Sequence, residues 1–105
     1  MKGISPKVWN SLLTGNHIAQ EIDSNNKLNR KWIAIYQSDD EKYMYRVFFI
    51  ELPKEILDND YDWSEDEEVS EELYFKTEDE LFFYLNNNEI DCSKFTYSWK
   101  CEYPY

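Results

Sequence analysis

Between residues 58 and 72 the chain reads Asp58-Asn59-Asp60-Tyr61-Asp62-Trp63-Ser64-Glu65-Asp66-Glu67-Glu68-Val69-Ser70-Glu71-Glu72, with nine carboxylates in fifteen positions. Carboxylates accept charge-assisted hydrogen bonds from Arg forks and Lys ammonium groups. Large rings set among them anchor a contact or stack beneath a guanidinium. The residues expected to touch a partner are therefore Asp58, Asp60, Tyr61, Asp62, Trp63, Glu65, Asp66, Glu67 and Glu68. A surface with both chemistries suits a groove built for nucleic-acid phosphates and bases. The plainer alternative is a solvated loop whose Trp63 tucks back onto the core.

Other chemistries fit less well. Asp58, Asp60 and Asp62 match the first three ligand positions of a calcium loop, but the sixth position is Trp63 where Gly is needed and the twelfth is Val69 where Glu is needed. Zinc is unsupported by two distant cysteines and a single histidine, His17. Nucleophilic catalysis requires Cys or Ser beside a base, and no such pair is placed by spacing. His17, next to Ile18, reads as structural. Carboxylates in an exposed run keep ordinary acidities and make poor general acids at neutral pH. With Gly only at positions 3 and 15, phosphate-cradling loops are absent. The expectation is a binding protein rather than an enzyme, with no metal and no cofactor.

Charge narrows the partner. The chain carries −11 over 105 residues, and residues 32–91 hold nineteen acids against four bases. Such a middle repels nucleic acid and anionic lipid and attracts a basic protein. Lys27, Arg30 and Lys31 cluster in sequence, but three bases at a strand entrance are ordinary surface, and no direct nucleic-acid or membrane contact is expected. Met1-Lys2-Gly3-Ile4-Ser5-Pro6 has no apolar stretch after its positive charge, so no secretory leader is expected. Cys92 and Cys101, read on one extended segment, lie too far apart to bridge. Free thiols point to a reducing cytoplasm, and the free protein is expected to be monomeric.

The elements that must position these groups follow from spacing. Ser5-Pro6 starts a helix over about residues 6–14, with Val8, Trp9, Leu12 and Leu13 on one side and Gly15 as its stop. Residues 17–22 fit strand or helix. Lys31–Gln37 and Lys42–Leu52 make an antiparallel hairpin. The second strand is apolar on both faces (Tyr43, Tyr45, Val47, Phe49 against Met44, Phe48, Ile50, Leu52), which suits a central position. Leu73–Lys76 reads as a short strand. Thr77-Glu78-Asp79-Glu80 fits a capping box before a helix that buries Leu81, Phe82 and Leu85. Phe95, Tyr97, Trp99 and Cys101 alternate with polar residues as a last strand. Aromatic content of 18 % and an apolar fraction of 42 % exclude a disordered chain. The fold class is α+β: a single acidic domain over residues 1–105, an antiparallel sheet of about four or five strands with two helices packed mainly on one face.

In size, acidity, aromatic hairpin (Trp32 to Leu52) and capped helix before a last aromatic strand, the chain resembles the small acidic immunity proteins of bacterial polymorphic-toxin and contact-dependent growth-inhibition systems. The resemblance implies a cytoplasmic protein that neutralises one cognate toxin domain, often a nuclease, by occluding its active site or substrate groove. The alternative in the same charge class is a phage-encoded DNA mimic directed at a restriction or CRISPR effector. A small carboxylate enzyme needs buried acids in a concave site, and a scaffold subunit needs self-association.

Overall fold

The computed structural model describes residues 3–54 and 69–105. Helix α1 runs Pro6–Leu13, with proline in its first turn, where no backbone N–H is needed. The Trp9 N–H closes the first turn on the Ser5 carbonyl at 2.9 Å. Gly15, at φ +104°, takes the left-handed conformation that lets the chain reverse into the sheet.

Strands β1 (Ile18–Ile22), β2 (Asn29–Gln37), β3 (Tyr45–Pro53), β4 (Val69–Phe75) and β5 (Thr96–Tyr97) form one sheet in the order β4-β3-β2-β1-β5, every neighbouring pair antiparallel. Side-chain oxygens hold the turns. Asn26 Oδ1 accepts from the Leu28 N–H at 2.9 Å, and Asp40 Oδ1 from the Lys42 N–H at 2.9 Å. Helix α2 (Glu78–Asn87) starts at Thr77, whose hydroxyl accepts from the Glu80 N–H at 3.1 Å. Glu80 returns a carboxylate oxygen to the Lys76 N–H at 3.0 Å. The first turn carries Glu78, Asp79 and Glu80 at the positive end of the helix dipole.

The two described α-helices cover the same face, as expected from the sequence. Trp9, Leu12, Leu81, Phe82 and Leu85 pack on Ile18, Ile33, Ile35, Tyr45 and Val47. The Trp9 ring touches Tyr45 and Phe82 at 5.6 and 5.5 Å between centroids. The other face buries Ala19, Trp32, Ala34, Ile50 and Leu52 beneath the C-terminal tail. Because β3 lies between β2 and β4, its two apolar faces serve these two layers.

Besides shifts of one or two residues, such as β2 starting at Asn29 rather than Lys31, three elements differ from the sequence reading. Strand β3 starts at Tyr45, and Tyr43 sits in the preceding turn, where it packs on Tyr74 at 5.3 Å. Strand β4 starts at Val69, so residues 69–72 of the acidic run pair with β3, Glu72 opposite Phe48 and Glu71 opposite Phe49. Charge masked the pattern there, because a strand edge tolerates acids that an interior strand would not. The last strand is only Thr96–Tyr97. A 3-10 turn over Ser98–Lys100 then carries the chain across the sheet edge. Alternation gave way because the second face needed a cover: the Trp32 indole donates to the Cys101 carbonyl at 2.7 Å, and the Tyr36 and Tyr103 hydroxyls meet at 2.7 Å. The cysteines are free, Cys92 in one core layer and Cys101 packed on the other.

Candidate functional site

The nine residues expected to contact a partner (Asp58, Asp60, Tyr61, Asp62, Trp63, Glu65, Asp66, Glu67 and Glu68) lie outside the described residues. Their flanks are placed. Val69 opposes Glu51, near the end of β3, so Lys54 and Val69 stand at the same end of the sheet. At that end the helix-bearing face runs out from under α2 and leaves a cleft of about 670 Å³.

The floor of the cleft is sheet. Ile22, Lys31, Phe49 and Glu71 come from four adjacent strands, and the Lys31 ammonium lies 5.5 Å from the Phe49 ring centre. The wall is the end of α2 and the turn after it, with Tyr84, Asn88, Glu89, Ile90, Asp91 and Lys94. Gln20, 3 % exposed, joins floor to wall by donating to the Asp91 carbonyl at 2.9 Å.

Four acidic residues besides Glu21 line the cleft (Asp23, Glu71, Glu89 and Asp91) against two ammonium groups, Lys31 and Lys94. The Glu21 carboxylate turns to the other face of the sheet, where Arg30 donates to both of its oxygens at 2.7 and 3.0 Å and holds its carboxyl below the ordinary range. The Ser93 hydroxyl and N–H donate to Asp91 and lower its pKa. No cation pairs with Asp23, Glu71 or Glu89 among the described residues. The C-terminus of α2, with no base in its last turn, adds its own partial negative charge to the wall. Glu89 holds φ +58°, where Gly or Asn is the usual residue, and it stands at the rim. The site can therefore seat ammonium or guanidinium groups from a partner.

The remaining candidate groups are placed elsewhere. Lys27, Arg30 and Lys31 make no common patch. Arg30 and Lys31 point to opposite faces as strand neighbours, and Arg30 is tied to Glu21 and, at 3.0 Å, to Glu102. His17 stacks on Tyr36 in the tail-covered layer. Burial pushes the Cys92 and Cys101 thiols up, away from the thiolate form a nucleophile needs. No three metal-ligating side chains converge among the described residues. No described helix is long and apolar enough to cross a membrane.

The cleft itself was not foreseen. The excess of acid was readable in the sequence, but its concave setting depends on residues from five separate segments. Compared with protein families, curated proteins and solved structures, the chain matches none of them.

Proposed function

We propose that this chain is a stoichiometric binding protein of the immunity type, which captures a basic toxin domain, a nuclease, and occludes its substrate groove without chemistry of its own. The observation that carries this reading is the acidic cleft, with Asp23, Glu71 and Glu89 uncompensated by described cations, at the sheet end from which the acidic run departs. Nuclease domains present basic clefts for phosphates. An acidic surface docks there with fast, salt-sensitive association. Burial raises both thiols, which disfavours the thiolate that a cysteine nucleophile needs.

The test is to titrate the purified protein into the basic nuclease domain that it captures from its source-cell lysate. Activity is expected to fall linearly and vanish near equivalence. Reversal of Asp60, Asp62, Glu65 and Asp66 to Lys should slow association about tenfold or more, well beyond the same number of reversals placed elsewhere. Unchanged inhibition after that reversal would remove the acidic run from the mechanism. Inhibition far below equivalence would make the chain an enzyme. Inhibition of a restriction or CRISPR nuclease, but of no toxin, would make it a DNA mimic.

A further inference from the structure

We propose that the outer edge of β4, with the apolar groove beside it, receives an extended basic segment of the partner protein as an added strand. This rests on the chain being a binder of basic proteins and specifies how one is held. Among the described residues the sheet ends in β4 on one side, and β4 pairs only with β3. A strand edge offers a row of unused N–H and C=O groups that a second extended chain can complete. The other edge, β5, is two residues long and makes a poor template.

Beside the β4 edge, α2 leaves a groove of about 690 Å³ lined by Tyr74, Phe75, Phe83 and Tyr84, with Asp79 and Glu80 on its rim. Phe83 is 68 % exposed and Tyr74 42 %, although the neighbouring Phe82 and Leu85 are buried. The Phe75 and Tyr84 rings meet at 5.2 Å and form the groove's base. A strand laid along this edge would set alternate side chains into the groove and the others over the opposite face. That is the usual division between backbone affinity and side-chain specificity in strand addition.

Charge selects the occupant. Strand β4 contains no Pro, Lys or Arg to blunt its edge; it carries Glu71 and Glu72 instead. A two-fold pairing of two copies centred on either residue sets a carboxylate against its own image, which is unfavourable. The −11 charge of each chain opposes that pairing further. A strand of alternating basic and apolar residues meets the same edge with opposite charge and fills the groove with its apolar positions.

The probe is an acetylated eight-residue peptide of alternating Lys and Val, titrated into the 15N-labelled full chain and followed by amide shifts and hydrogen exchange. Saturable shifts below about 1 mM are expected in residues 69–75 and in Phe83, Tyr84 and Asn87, with new exchange protection along β4. Substituting Pro at the peptide's central Val should abolish them by removing a donor while keeping the charge. Phe83→Ser should weaken binding about tenfold. The inference is overturned if no saturable shift occurs, if the Pro peptide binds equally, or if the outward β4 amides, those that do not bond β3, are already protected in the free chain at every dilution. Protection that grows with protein concentration alone would give the edge to a second copy and also overturn it. Capture of a nuclease with β4 unshifted would overturn this docking mode alone; peptide docking without nuclease inhibition would overturn the proposed function alone.

Discussion

His17 lies nearly parallel to Tyr36, ring centroids 4.7 Å apart, with Tyr103 at 5.4 Å. Its Nε2 is buried and has no hydrogen-bond partner among the described residues. Burial lowers its pKa most; a hydrogen bond to the Tyr105 backbone opposes this, and the Arg46 guanidinium adds to the lowering. The unfolded chain takes up this proton near the ordinary imidazole value of about 6.5, and the folded chain only at lower pH. The unfolded state therefore binds more protons as pH falls from that value through the depressed one, and stability contributed at neutral pH is lost across that window. Urea midpoints at about pH 7.5 and 5.5 should show the wild type losing more stability on acidification than His17→Phe. An identical pH dependence in the two would mean that His17 is not held neutral by the fold. Glu89 makes a second case. Its left-handed backbone costs a β-carbon-bearing residue about 1 kcal/mol. Glu89→Gly should therefore raise unfolding free energy by up to about that amount while weakening capture of a basic partner, since it removes a rim carboxylate. Stability and binding moving together would dissociate this residue from the site.

The second helix shows how far local chemistry reaches. The Thr77 hydroxyl meets the Glu80 N–H, and Glu80 answers at Lys76. Thr77→Ala should cost about 1 kcal/mol in urea denaturation, and a loss near zero would show that packing of Leu81, Phe82 and Leu85 alone holds the helix start. This element was legible because its cap, apolar spacing and stop all lie within a dozen residues. Strand β3 was legible for a similar reason, since two apolar faces in one run require two covering layers. The C-terminal tail was not. Alternation over Phe95, Tyr97, Trp99 and Cys101 obeys the rule for a half-buried strand, yet the chain turns at Ser98. What overrides the pattern is distant in sequence: the Trp32 indole, the Tyr36 hydroxyl and the Arg30 guanidinium each take a partner from residues 101–103. Tyr103→Phe tests that override. It keeps the ring over the second face and removes the hydroxyl pair, so a loss of about 1 kcal/mol is expected in the same denaturation series. Tyr103→Ala, which removes the ring from the second core layer, should cost about 3 kcal/mol. Equal small losses would mean that the tail adds little to the core.

At the scale of the molecule, charge works against the fold and for the proposed encounter. The acid excess was plain in the sequence. Its placement was not, because the cleft joins Asp23, Lys31, Phe49, Glu71, Tyr84 and Asp91, which only the sheet register and the turn after α2 bring together. A net −11 on 105 residues exerts self-repulsion that compactness increases. The ion pairs that would oppose it are few among the described residues: Arg30 with Glu21 and Glu102, and Arg46 with Glu72 at 3.8 Å. All involve partly exposed groups, so each is worth little. Screening should therefore relieve more repulsion than it removes attraction. Raising sodium chloride from about 0.02 to 0.5 M shortens the Debye length from about 20 Å to about 4 Å, and unfolding free energy should rise by about 1 kcal/mol. The same salt should slow capture of a basic partner, since steering depends on the unscreened field. Opposite responses of stability and association to one variable identify an acidic surface retained for its partner at a cost to the fold. Stability that falls with salt would instead locate the charges in favourable pairs within the chain, leaving less negative field to draw a basic domain in.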